Sequence, residues 1–141
     1  MKLLATYFLT ALTASQGLSA VISKGTNSTL SIERTQETLV FKIEPHKDLA
    51  ISPDAPWSVK LSHVNNLSPE TLTLAKKDFD PKIPGFKIAL GIAQDNEKHG
   101  TAKVGDKKSI PSSFDYTLTA FVCTVDKTKC FRDVIKGRAE L

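Results

Sequence analysis

Phe114-Asp115-Tyr116-Thr117-Leu118-Thr119-Ala120-Phe121-Val122-Cys123 is the stretch whose pattern fixes the fold class. Phe114, Tyr116, Leu118, Ala120 and Val122 fall on one side of an extended chain, with Asp115, Thr117 and Thr119 on the other. Successive side chains of a strand point to opposite faces, so this alternation marks a half-buried β-strand. Phe121 breaks the scheme. It has the parity of Cys123, and so belongs either to a second buried layer or to an exposed patch beside that cysteine.

The same period recurs outward from this segment. Leu30 and Ile32 alternate with polar neighbours, as do Leu39, Phe41 and Ile43, then Trp57, Val59 and Leu61, then Leu72 and Leu74, then Phe86, Ile88, Leu90 and Ile92. A last strand is expected over about Phe131 to Ile135. Turn formers separate the runs: Pro45, Pro53 and Pro56, Asn65-Asn66, Pro81, Pro84-Gly85, Gly100, Gly105 and Pro111. Beyond residue 20 no segment carries a helical stripe for three turns. About seven short strands punctuated in this way predict an all-β antiparallel sandwich. Trp57, Phe41, Phe86, Phe114 and Tyr116 have inward parity and are expected in its core. The polar stretch Gln94 to Ser113, rich in Lys, Gly and Ser, reads as a long loop.

The first twenty residues read differently. Lys2 is followed by the apolar run Leu3 to Leu12 and by the small, polar stretch Thr13 to Ala20. That is the layout of a cleaved secretory signal, and the run is too short for a bilayer, which needs about 20 apolar residues. Residues 1–20 are therefore expected to be a signal peptide, with a cut after Ala20, Ala14 or Ser19. Residues 21–141 are expected to form one domain, soluble and monomeric, in the periplasm or outside the cell. The 141-residue chain carries a formal charge of +4. Loss of Lys2 leaves a mild excess spread along the chain, with no basic stripe interleaved by aromatics. That excludes a nucleic-acid reader and is read as a solvated surface.

Cys123 and Cys130 are the only cysteines. In an exported chain they can pair. Their setting, Phe121-Val122-Cys123-Thr124-Val125-Asp126-Lys127-Thr128-Lys129-Cys130-Phe131-Arg132, puts them at the neck of a hairpin, where facing Cβ atoms come within bridging range. Closing so short a loop stabilises a fold by roughly 2.5 kcal/mol on chain entropy alone. A bridge between adjacent strands adds little to a core that the hairpin already closes. Two readings stay open: a redox-active pair, or a structural disulfide in a binding domain.

Leu118 to Cys123 followed by Cys130-Phe131 is similar to the late strands of the N-terminal periplasmic domain of the thiol:disulfide interchange protein DsbD and of related small exported proteins. Ala55-Pro56-Trp57 before an alternating strand resembles that family's lead into a sheet. The resemblance spans residues 40 to 138 and implies an immunoglobulin-like sandwich with a strand–Cys–loop–Cys–strand arrangement. It also implies a cap loop, with an acidic residue and an aromatic ring shielding the sulfurs, and Lys77-Asp78-Phe79-Asp80-Pro81 falls where such a loop would lie. On that basis Phe79 covers the sulfurs, and Asp78 or Asp80 relays a proton. The intercysteine loop departs from the family in being charged instead of aromatic-rich. The family's membrane and thioredoxin-like segments have no counterpart here, so exchange would need a separate thioredoxin-like partner.

Under the redox reading, one deprotonated cysteine attacks a partner disulfide and the other releases it. Cys130 is the expected nucleophile, since Lys127, Lys129 and Arg132 surround it in sequence. No cofactor is implied. His46, His63 and His99 lack a second ligand at zinc spacing, so no metal site is expected. No serine sits in a nucleophile elbow. Two sequons, Asn27-Ser28-Thr29 and Asn66-Leu67-Ser68, matter only in a eukaryotic secretory pathway. The expected outcome for export is a native N-terminus between residues 15 and 21 by mass spectrometry; material from outside the cytosol that retains Met1 would contradict it.

Overall fold

The computed structural model describes residues 19–65, 68–91 and 108–141. Along them run β1 (Ser19–Lys24), β2 (Ser28–Arg34), β3 (Thr38–Pro45), β4 (Leu49–Ile51), β5 (Ser58–Asn65), β6 (Ser68–Leu74), a 3-10 turn (Lys76–Asp78), β7 (Phe79–Asp80), β8 (Gly85–Ala89), β9 (Ser113–Thr124) and β10 (Cys130–Glu140). The strands make two antiparallel sheets. One has the order β1-β2-β3-β8-β7; the other has the order β10-β9-β5-β6, with β4 pairing the far end of β9. The chain thus crosses from the first sheet to the second after β3, returns for β7 and β8, and crosses again to β9.

The period-two pattern explains the layering. Leu30, Ile32, Leu39, Phe41, Ile43, Phe86 and Ile88 project from the first sheet onto Val59, Leu61, Phe114, Tyr116, Leu118 and Ala120 of the second, and all are buried. Phe41 meets Phe114 and Tyr116 across the gap at 6.2 and 6.4 Å between ring centroids. Close approach within the first sheet demands a glycine at one point. A Cβ on Gly85 would overlap the Phe41 carbonyl oxygen of the neighbouring strand.

The all-β sandwich is as the alternation requires, with differences in detail. Ten strands replace about seven, because β1, β4 and β7 are additional. The last strand runs to Glu140 instead of ending near Ile135. Ala139 extends its inward face, while Gly137 leaves room for the Tyr116 hydroxyl, which would lie 2.6 Å from a Cβ there. β1 starts at Ser19, so a cut after Ala20 would fall inside it and a cut after Ala14 would leave it whole. Most of the expected Gln94–Ser113 loop, and the Asn66-Leu67 part of the second sequon, lie outside the described residues.

One polar contact ties the sheets at their edge. Asp133 of β10 faces inward and is buried, yet its carboxylate accepts three hydrogen bonds from the β1–β2 connection. The donors are the Asn27 backbone N–H (2.8 Å), the Asn27 Nδ2 (3.0 Å) and the Ser28 hydroxyl (2.7 Å). The first sequon's amide is engaged here. Arg34 makes a second tie, donating to the Ile110 and Pro111 carbonyls ahead of β9.

Burial pushes the Asp133 carboxyl up, but the bonds from Ser28 and Asn27 outweigh it and hold the group below the usual carboxylate range. A depressed folded value stabilises the protein fully above the unfolded value of about 3.9, and that contribution is lost as pH falls through the folded value. Asp133→Ala should cost about 3 kcal/mol in urea unfolding at pH 7, since it orphans a buried hydroxyl and an N–H. Asp133→Asn should lose less stability than the parent between pH 4 and pH 2, and an unchanged acid slope would contradict this assignment.

Candidate functional site

Cys123 and Cys130 lie directly opposite each other in the β9–β10 register and form a disulfide, with Cα atoms 4.0 Å apart. The neighbouring pair explains why they can bond. Thr124 N–H donates to the Lys129 carbonyl at 2.8 Å, so the cysteines occupy the adjacent non-hydrogen-bonded pair, in which facing side chains come closest.

The hairpin tip is closed by its own polar groups. Lys127 N–H donates to the Thr124 carbonyl at 2.8 Å, and Lys127 adopts the left-handed conformation that completes the turn, with φ 59°. The Asp126 carboxylate accepts the Thr124 hydroxyl, the Thr128 N–H (3.1 Å) and the Thr128 hydroxyl (2.8 Å). These bonds, that from Thr124 first, hold its carboxyl below the ordinary range. Beyond the cysteines the β9–β10 ladder continues in unbroken register from Phe131 opposite Val122 to Glu140 opposite Ser113. The disulfide therefore joins two strands that are already aligned on both sides of it.

The two sulfurs differ in environment. Cys123 is 6% exposed and Cys130 is exposed. Cys123 has a strand on each side, with Cys130 of β10 opposite it along one edge of β9 and Ala50 of β4 opposite it along the other. The segment after β4 is pinned: Ser52 N–H donates to the Phe121 carbonyl (3.0 Å), Trp57 Nε1 donates to the Ser52 carbonyl (2.6 Å), and Lys76 Nζ donates to the Asp54 carbonyl (2.6 Å). Between Ala50–Asp54 and the hairpin lies a cleft of about 270 Å3 that contains both cysteines, Thr124, Val125 and Lys127. Two larger open clefts, of about 550 and 390 Å3, lie between β1 and β10 and beside His63, away from the sulfurs.

The structure brings Cys123, Cys130 and Lys127 together, and leaves the expected cap residues elsewhere. Phe79 stacks on Trp57 with centroids 4.5 Å apart and meets Phe86 edge-on at 5.8 Å. Asp78 accepts the Ala75 N–H, and Asp80 accepts the Lys82 N–H. None of the three lines the disulfide cleft. Beside Cys123 lies β4, which the sequence reading missed; Leu49 and Ile51 alternate, but over three residues only. Phe121 is half-buried and lies edge-on to Trp57 at 6.3 Å, which resolves its parity as a second packed layer. Trp57 therefore connects the aromatic ring of Phe79 to the wall of the cleft without bringing that ring to sulfur.

Among the described residues no group of three His, Cys, Asp or Glu side chains is placed to hold a metal ion. His46 Nε2 pairs with the Thr29 hydroxyl at 3.2 Å. His63 is buried with Nε2 3.3 Å from Glu70. His99 lies outside the described residues. Nor is any described helix long and apolar enough to cross a membrane. The chain matches no protein-family model, no curated protein and no solved structure. After reduction in native buffer, iodoacetamide should modify Cys130 roughly tenfold faster than Cys123, as read by peptide mass mapping. Equal rates would contradict the unequal cover.

Proposed function

We propose that this chain is an exported thiol-disulfide exchange module whose Cys123–Cys130 pair trades electrons with a thioredoxin-like partner. The observation that carries the reading is the exposure of Cys130 in a hairpin held in register by its own hydrogen bonds. Opening the disulfide then leaves the strands in place, as reversible exchange requires. The resemblance to the N-terminal domain of DsbD supports the same reading, as does the signal-like N-terminus, which fits a periplasmic or secreted location.

The chemistry is two displacements at sulfur. A partner thiolate attacks Cys130 Sγ, forming a mixed disulfide while the Cys123–Cys130 bond breaks and its electron pair leaves on Cys123. The partner's second thiolate then displaces Cys130, so the partner becomes a disulfide and this pair a dithiol. In reverse, the Cys130 thiolate attacks a partner disulfide and Cys123 resolves the adduct. Both directions pass through Cys130, the exposed cysteine. Lys127, Lys129 and Arg132 supply positive charge around it in the sequence, the kind of setting in which thiolates are favoured.

A purely structural bridge in a non-enzymatic binding domain is the second reading, and the burial of Cys123 favours it. One experiment separates the two. Cys123→Ser carrying glutathione disulfide-bonded to Cys130 should give up the glutathione for a thioredoxin that lacks its second redox cysteine and hold that thioredoxin as a mixed disulfide in native buffer. The yield should be at least about tenfold greater than from Cys130→Ser carrying glutathione on Cys123, and dithiothreitol should dissolve the adduct. A wild-type bond that yields only in denaturant, with no adduct from either variant, would leave the structural reading standing.

A further inference from the structure

We infer that the cleft beside the disulfide is a subsite for one apolar side chain of the partner, the residue next to its reacting cysteine. The inference rests on the exchange reading and specifies what the site accepts.

The cleft is small. At about 270 Å3 the cleft lies below the roughly 300 to 1,000 Å3 of pockets that enclose drug-sized ligands. It has room for a single side chain. Both cysteines line it, so a partner sulfur bonded to Cys130 stands at its mouth, and the partner's adjacent residue falls within reach.

The chemistry of the walls selects the type of side chain. Ser52 N–H is taken by the Phe121 carbonyl, the Ser52 carbonyl by Trp57, and the Asp54 carbonyl by Lys76. On the hairpin side, Thr124 N–H is bonded to Lys129, and the Thr124 hydroxyl to Asp126. Pro53 has no N–H. A hydrogen-bonding side chain placed against these groups would exchange water for occupied partners, which costs free energy, and only the charged tips of Asp54 and Lys127 and the Ser52 hydroxyl remain to receive it. Apolar surface remains: Ile51, Pro53 and Val125, the last 74% exposed at the hairpin tip. Lys127 and Asp54 sit in the lining with opposite charges, so neither sign of charge is favoured on the incoming residue.

The test uses Cys123→Ser with glutathione disulfide-bonded to Cys130. Two neutral peptides, acetyl-cysteinyl-leucine amide and acetyl-cysteinyl-asparagine amide, are each equilibrated against it, and the exchange constants are read by mass spectrometry. Partial burial of a leucine side chain favours the first by roughly tenfold. Val125→Asp, a change at an exposed tip, should bring the ratio to about one. Equal constants with the unaltered tip would overturn the subsite while leaving exchange itself intact, because adducts would still form. Failure of both peptides and of dithiothreitol to react in native buffer would overturn the exchange reading, and the subsite with it. Should Cys123→Ser not fold, the wild-type protein gives the same comparison through the initial rates at which the two thiols open its disulfide. A leucine peptide no faster than the asparagine peptide would again overturn the subsite.

Discussion

Strand β9 is the constraint on which the rest of the molecule depends. Its twelve residues pair with β10 along one edge, and with β5 and then β4 along the other. Its inward side chains, Phe114 to Val122, fill the second sheet's half of the core. A one-residue slip would turn that whole set to solvent, so the register is strongly specified. Where the strand leaves β5 and meets β4, strict alternation ends: Val122 and Cys123 are both buried. The cysteine pair thus sits at the end of the best-determined element, at the point where its outer face acquires a cover.

That placement limits what the disulfide contributes to the fold. A bridge has most to contribute where it closes a long loop or joins distant elements. Here it spans seven positions, within a ladder that runs on to Glu140 and a tip fastened by Asp126. The sheets are joined by other means, through the Phe41 contacts with Phe114 and Tyr116 and through the buried carboxylate of Asp133.

Elements with three or more alternating apolar residues, such as β3 and β9, are legible in the sequence because periodicity alone places their side chains. The short strands β4 and β7 are not, since two or three residues carry no period. They become strands because β9 and β8 offer edges to pair with. The hairpin neck was legible for the same reason as β9. The cap was legible only in residue type: Asp78, Phe79 and Asp80 have suitable chemistry, but nothing local reveals that Trp57 takes the Phe79 ring. Nor does the sequence show that Ala50, over seventy positions away, lies opposite Cys123.

Opening of this disulfide without unfolding of the domain is read from the reduction potential of the Cys123–Cys130 pair. It is measured in native buffer by equilibration with glutathione redox mixtures, while circular dichroism follows the fold. The expected potential lies above about −300 mV, with the β-sheet spectrum unchanged between the oxidised and reduced forms. A potential well below that value, or loss of the β spectrum on reduction, would contradict it.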